Sequence, residues 1–221
     1  MRRALHLVVL LVGQALLSVP SAAVQQSAEH RVVDRIVARI EGDIITLSEV
    51  RELSQFQQLV EGRSASEDRL VAQLVEQWIV YAEAGAARFP RPSPTEVDRE
   101  IERLQEQFAS SEAFRDRLRA LGLSTGAVRR LVERQLYLAR YLDYKFRPAV
   151  QVDTAAVEKF YREELVQKLT ARGQAAPPLE TVQEQIRELL TQREISERAS
   201  HWLEETRSRL RIELEGRGKG P

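Results

Sequence analysis

The chain has 221 residues, 33 Lys+Arg against 33 Asp+Glu, and no cysteine. Zero net charge argues against a dedicated nucleic-acid binder, whose affinity rests on surplus cations. The missing thiols exclude disulfide scaffolds, thiolate metal sites and cysteine nucleophiles, and 43% hydrophobic with 30% charged residues is a globular composition.

Arg2 and Arg3 precede an apolar run from Leu5 to Leu17, which Pro20 ends, and Ser21-Ala22-Ala23 offers small residues to a signal peptidase. A spanning helix needs about 20 apolar residues, so residues 1–23 read as a cleaved export signal. The alternative is an uncleaved anchor over Ala4–Val24. Val32–Ile40 then alternates with a period of two and predicts a half-buried strand. Glu41-Gly42-Asp43 supplies a turn, Ile44-Ile45 a return strand, and Thr46-Leu47-Ser48-Glu49 has capping-box spacing for a helix over about 47–60.

Ser64-Ala65-Ser66-Glu67 repeats that spacing and opens a second helix reaching about Arg88. Its apolar residues, among them Leu70, Leu74, Val75, Trp78 and Ile79, cover so wide an arc that it is expected at the centre of a bundle. Ser93-Pro94-Thr95-Glu96 starts a third helix, running to about Phe108, with cap, proline and acid in the preferred places. A short fourth helix is expected over Ser111–Leu121. A fifth is capped by Ser124 and stopped by Pro148, and a sixth is capped by Asp153 and ends near Gly173. Neither Gly nor Pro interrupts Leu179–Leu210, and at 1.5 Å per residue that rod spans roughly 48 Å. It should therefore bridge a peripheral arm and the main body. Arg211-Ile212-Glu213-Leu214 alternates again and is expected to pair with the strand at Val32–Ile40.

The expected fold is mainly α: a helical bundle with a small β element made by N-terminal strands and a C-terminal strand. The boundaries are 1–23 for the signal, 24–152 for an N-terminal helical domain, 153–215 for a helical arm, long helix and closing strand, and 216–221 for a flexible tail.

The segment Val32-Val33-Asp34 through Ile40, with Glu41-Gly42-Asp43 and the helix opening at Thr46–Val50, resembles the start of SurA-type periplasmic chaperones. The similarity continues in Leu74–Val80, in Pro94–Asp98, in Leu179–Arg187, in Trp202-Leu203 and in the closing Ile212-Glu213-Leu214. Each motif is soft by itself; their order behind an export signal is more specific. The resemblance implies a periplasmic, ATP-independent holdase whose partners are unfolded outer-membrane or other exported polypeptides. Relatives usually carry parvulin-type prolyl isomerase domains before the terminal helix. Here Gln167–Pro178 holds the whole gap, far short of the roughly 50 residues a domain needs. The resemblance therefore implies the chaperone core without an enzyme, and no stable membrane insertion after cleavage.

No other chemistry competes. His201 stands alone on a helix, and no His-Glu-x-x-His occurs. Adjacent acids such as Glu163-Glu164 point about 100° apart on a helix and cannot act as a pair. No catalytic, metal or cofactor-binding residue is assigned. Helix five mixes Arg129, Arg130, Arg134, Arg140, Lys145 and Arg147 with Tyr137, Tyr141, Tyr144 and Phe146. Such a mix can stack single-stranded nucleic acid, but in a neutral exported chain it reads as helix surface plus core, or as a peptide lining. Phe56, Leu59, Phe108, Phe114, Leu118 and Leu121 are the candidate client contacts, since they lie on the shorter helices. The alternative function is an exported helical adaptor holding one folded partner.

Overall fold

In a computed structural model, residues 34–215 are described; the expected export signal at 1–23, the start of the strand expected from Val32 and the expected tail at 216–221 lie outside them. Strand β1 (Ile36–Ile40) turns through Glu41-Gly42 into β2 (Asp43–Thr46). Both turn residues have positive φ, 51° and 107°, the geometry whose twist matches a two-residue hairpin. Gly42 takes it freely; Glu41 is held there by the end of the chain. Its N–H donates to the Arg211 carbonyl at 3.2 Å, and its carboxylate accepts from the Arg211 N–H at 2.6 Å. Strand β3 (Ile212–Leu214) then pairs antiparallel with β1, Ala38 opposite Leu214 and Ile40 opposite Ile212, giving the order β2-β1-β3. The terminal strand lies where the alternation placed it. A register shift between Ile36 and Ala38 buries Val37 as well as Ala38 and Ile40, while Arg39 stays outside.

Helix α1 (Leu47–Val60) starts in a complete capping box, Thr46 with Glu49. Asp34 fastens the same turn, accepting from the Ser48 hydroxyl and from its N–H. The Ser48 hydroxyl lowers the Asp34 carboxyl below its ordinary value. Helix α2 (Glu67–Ala86) begins at Ser66 without a side-chain cap. The box expected at Ser64–Glu67 does not form, because Ser64 instead meets the Ser54 hydroxyl at 2.8 Å. Helix α3 (Pro94–Gln105) carries the box of Ser93 and Glu96, and α4 (Ser111–Leu121) follows, ending at Gly122 with φ 70°. Helix α5 (Thr125–Phe146) is capped by Ser124, and α6 (Thr154–Phe160) by Asp153.

The sixth helix is not uniform. A π-helical turn (Tyr161–Val166) separates α6 from α7 (Gln167–Thr170), and Gly173 with φ 69° closes the segment. Helix α8 (Leu179–Arg209) runs from contacts with α6 to contacts with α2 and α5, so it does bridge arm and body.

The core follows from these placements. Helix α2 touches α1, α5, α8, β1 and β2, as its wide apolar arc demands. One buried cluster joins the sheet to α1 and α2 through Ile40, Ile45, Leu53, Leu74 and Val75, with Trp202 and Leu210 of the terminal segment against it. A second fills the space between α1, α3, α4 and the first half of α5. The described residues belong to one compact unit.

Candidate functional site

The six candidate client contacts go into the second of these clusters. Phe56, Leu59, Phe114 and Leu118 are at most 5% exposed, and Phe108 and Leu121 are half-buried against them. The Phe108 and Phe114 rings meet edge to face at 5.1 Å. Their side chains thus pack the core rather than standing open to solvent, as they were expected to on the shorter helices. Helix α4 is short, but it lies on α1, so its apolar stripe is covered.

Phe56 alone of the six reaches an open hollow. Residues of α1, α3 and α5 line a groove of about 310 Å³, with the buried Phe56, Leu104 and Val132 in its floor and Val60, Leu136 and Ala139 along its lip. Glu100, Gln107 and Gln135 form the polar remainder of the rim. Val60 is 42% exposed although it continues the buried stripe of Phe56 and Leu59, which leaves apolar surface in water. A second hollow of about 280 Å³ lies between β2, α2 and α5, where Ile44, Leu74, Trp78 and Tyr81 line it and the Trp78 indole donates to Asp43 at 2.9 Å. A third, of about 380 Å³, sits beside the β3 edge and is mainly charged, with Arg35, Glu67, Asp68, Arg207 and Glu215 around Val37, Val71 and Leu214. None of the three is enclosed.

Most of the basic face of α5 is spent on carboxylates, while Arg134 lines the hollow of Trp78 and Tyr81. Arg129 pairs with Asp98, Arg130 with Glu52 at 2.9 Å, Arg140 with Glu96 at 3.0 Å and Lys145 with Glu83 at 3.4 Å. Tyr137 and Tyr141 are buried. Around them Phe89, on the loop after α2, stacks within 5.2–5.9 Å of Tyr144, Tyr141 and Tyr137. The Arg91 guanidinium lies over Tyr81 and Tyr137 at 5.0 and 5.3 Å. The sequence reading missed Phe89 and Arg91; the signal available was an aromatic and a cation inside a Pro-punctuated loop, Phe89-Pro90-Arg91-Pro92.

At the far end of α5, Arg147 forks between two helices. It donates to both Asp143 oxygens at 2.9 Å and to Glu188 of α8 at 2.7 and 3.0 Å. Gln192 bridges the same carboxylates, 2.8 Å from Glu188 and 3.3 Å from Asp143. Arg147, with Gln192 behind it, pulls the Glu188 carboxyl down to about 2. The Arg147 hydrogen bond lowers Asp143 in the same sense. Arg193 grips Glu164 of the π-helical turn at 3.1 Å.

Among the described residues no side chain that is polar or charged is buried, no cluster of three or more His, Asp or Glu is arranged to hold a metal, and no helix is long and apolar enough to cross a membrane. His201 is exposed, 3.7 Å from Glu205 on its own helix. No protein-family model matches the chain, and no curated protein matches it.

Proposed function

We propose that the protein is a periplasmic, ATP-independent holdase that binds unfolded outer-membrane or other exported polypeptides. The observation that carries this is the pair of open, partly apolar hollows on one helical body, the α1–α3–α5 groove and the hollow lined by Ile44, Leu74, Trp78 and Tyr81. Without nucleotide, a holdase must bind by burying client side chains and release by simple dissociation. At about 25 cal/mol per Å², a shallow groove gives a weak grip, and several weak grips along one chain add up to useful retention. Folded partners demand one large, well-fitted patch, and hollows of this size take one or two side chains each.

The sheet adds a second kind of purchase. Strands β2 and β3 are both outer strands, with Ile44 and Leu214 exposed on them. Outer strands present unpaired backbone groups that accept an extended chain. Precursors of membrane barrels are extended and alternate apolar with polar residues, so they suit both features. The ordered motif resemblance points the same way.

The test is aggregation of an unfolded barrel precursor, diluted from denaturant with and without the purified mature chain and no nucleotide. Suppression at near-stoichiometric ratios is expected. Unchanged aggregation, with a single folded partner recovered from the periplasm instead, would establish the adaptor alternative. Proline-limited refolding of a model substrate is expected to run at its uncatalysed rate.

A further inference from the structure

We infer that β3 is an interface for a second copy of this chain: two β3 strands pair antiparallel about Ile212 and join their sheets into one. This goes beyond the holdase reading, since it concerns what takes the outer strand when no client is present.

The backbone makes β3 the more open of the two edges. In an antiparallel ladder, successive residues turn their N–H and C=O alternately to one side and the other. The Glu41 N–H donates to the Arg211 carbonyl at 3.2 Å, and the Glu215 N–H donates to the Val37 carbonyl at 2.9 Å. Arg211, Glu213 and Glu215 therefore face β1, and Ile212 and Leu214 turn their backbone groups outwards. Leu210, extended at φ −92° and ψ 146°, continues the alternation and adds an outward carbonyl. Strand β2 offers less. Its outward residues are Ile44 and Thr46, and Thr46 is taken up by the cap of α1, its N–H donating to Glu49 at 2.8 Å. An edge with successive unpaired groups is a template for another strand.

The side chains say which strand that is. Self-pairing through Ile212 and Leu214 can centre on Ile212, Glu213 or Leu214. A centre at Glu213 sets that carboxylate against its own counterpart, and a centre at Leu214 sets Glu213 against Glu215. Like charges directly opposite are destabilising. The centre at Ile212 instead sets Arg211 opposite Glu213 of the second copy, and the reverse. Within one chain Arg211 and Glu213 lie 3.7 Å apart on exposed side chains. The pairing thus closes a ring in which each Arg211 neighbours a Glu213 of either copy. The same register lays Leu214, 47% exposed, across from Leu210 of the second copy. Charge pattern, free backbone groups and the exposed leucine agree on one register.

The experiment is sedimentation equilibrium of the purified mature chain over a range of loading concentrations at low salt. The contact is small, so monomer and dimer should exchange, and the average mass should rise with concentration towards the dimer's. Glu213→Arg and Arg211→Glu each set like charges across the centre. Each should weaken association about tenfold, which is about 1.4 kcal/mol. Mixing those two variants restores the opposite pairs and should return association to near the parent's. Leu214→Pro removes an outward N–H and leaves the bonds to β1, a placement proline tolerates on an outer strand. It should weaken association as well. The Arg211 and Glu213 side chains are 78% and 60% exposed, so the charge variants should melt close to the parent. A parent that stays monomeric at every concentration overturns the inference. So does association unchanged by the charge variants, or a mixture no tighter than its components. A monomeric parent whose hold on an unfolded precursor is weakened by Leu214→Pro gives the edge to the client instead.

Discussion

The body and the arm of this protein are fastened by different physics. Between 47 and 146 the helices meet through contiguous buried apolar clusters, with Phe56, Phe114, Val128 and Ile79 each at most 3% exposed. In the arm, from α6 to the first half of α8, only Val157, Ile186 and Ile195 are buried. The rest of the attachment is polar: the Arg147 fork to Asp143 and Glu188, and the Arg193 grip on Glu164, all with side chains between 38% and 55% exposed. Apolar burial does not depend on the protonation of paired charges, whereas exposed ion pairs are weak and screened. The difference teaches that the arm is the low-stability region. It is the part able to open while the body stays folded.

The largest expected effect tests the body. Phe114→Ala removes a buried ring from between α1, α4 and Phe108 and should cost about 3–5 kcal/mol, lowering the melting temperature by roughly 10 °C in a chain of this size. Amide exchange should then accelerate throughout α1, α3, α4 and α5. If the arm loosened to the same extent, the two regions would be one cooperative unit and the distinction between them would fail.

Where local chemistry decides, the fold was readable from the residues. Thr46 with Glu49, Ser93 with Glu96, Ser124 and Asp153 all cap the helices they were expected to cap, since a cap needs only neighbours within three positions. The closing strand was readable too, because Arg211–Leu214 is a short alternating run after an uninterrupted helix. The site was not. Helical spacing shows that Phe56, Leu59, Phe114 and Leu118 share a face with other apolar residues, but not what covers that face; α4 folding onto α1 decides it. Val60 belongs to the same stripe, and it is exposed at the groove where the stripe ends. The Arg147 fork likewise depends on Glu188 of α8 arriving from 41 positions away.

A smaller effect sharpens the closure of the sheet. Gly42→Ala places a Cβ where no atom lies within 4 Å, so its cost is backbone strain alone at φ 107°. That cost should exceed about 1 kcal/mol, read as a shift in the urea midpoint with unchanged slope. Glu41→Gly works differently. It relieves the positive φ at the turn but removes the carboxylate that accepts from the Arg211 N–H. Its net effect on the midpoint should be small, while exchange at Arg211 should rise. A large loss of stability would mean that the head-to-tail bond at Glu41 contributes more than the hairpin geometry.

The smallest effect bears most directly on the arm. The Glu188 carboxyl sits at about 2 against an ordinary value of 4.5, so its folded pKa is depressed. A depressed carboxylate contributes its full stabilisation above the unfolded value and loses it as pH falls towards the folded one. Protection of the arm amides should therefore be flat from pH 7 to about 5 and decline between about 4.5 and 2, with Asp143 contributing in the same direction. Because both groups are substantially exposed, the whole change should stay near the 0–1 kcal/mol of surface pairs. It is measurable only as local exchange, not as a shift in global melting. Arg147→Ala should lower the protection factors of the arm amides at pH 7 to those the parent reaches in acid, and remove the parent's loss of protection between about 4.5 and 2. The swap Arg147→Glu with Glu188→Arg should restore only part of the protection, because Asp143 would then face a like charge. Parent and Arg147→Ala proteins with the same acid profile would show that the arm is held by Val157, Ile186 and Ile195 alone, and that body and arm differ in degree rather than in kind.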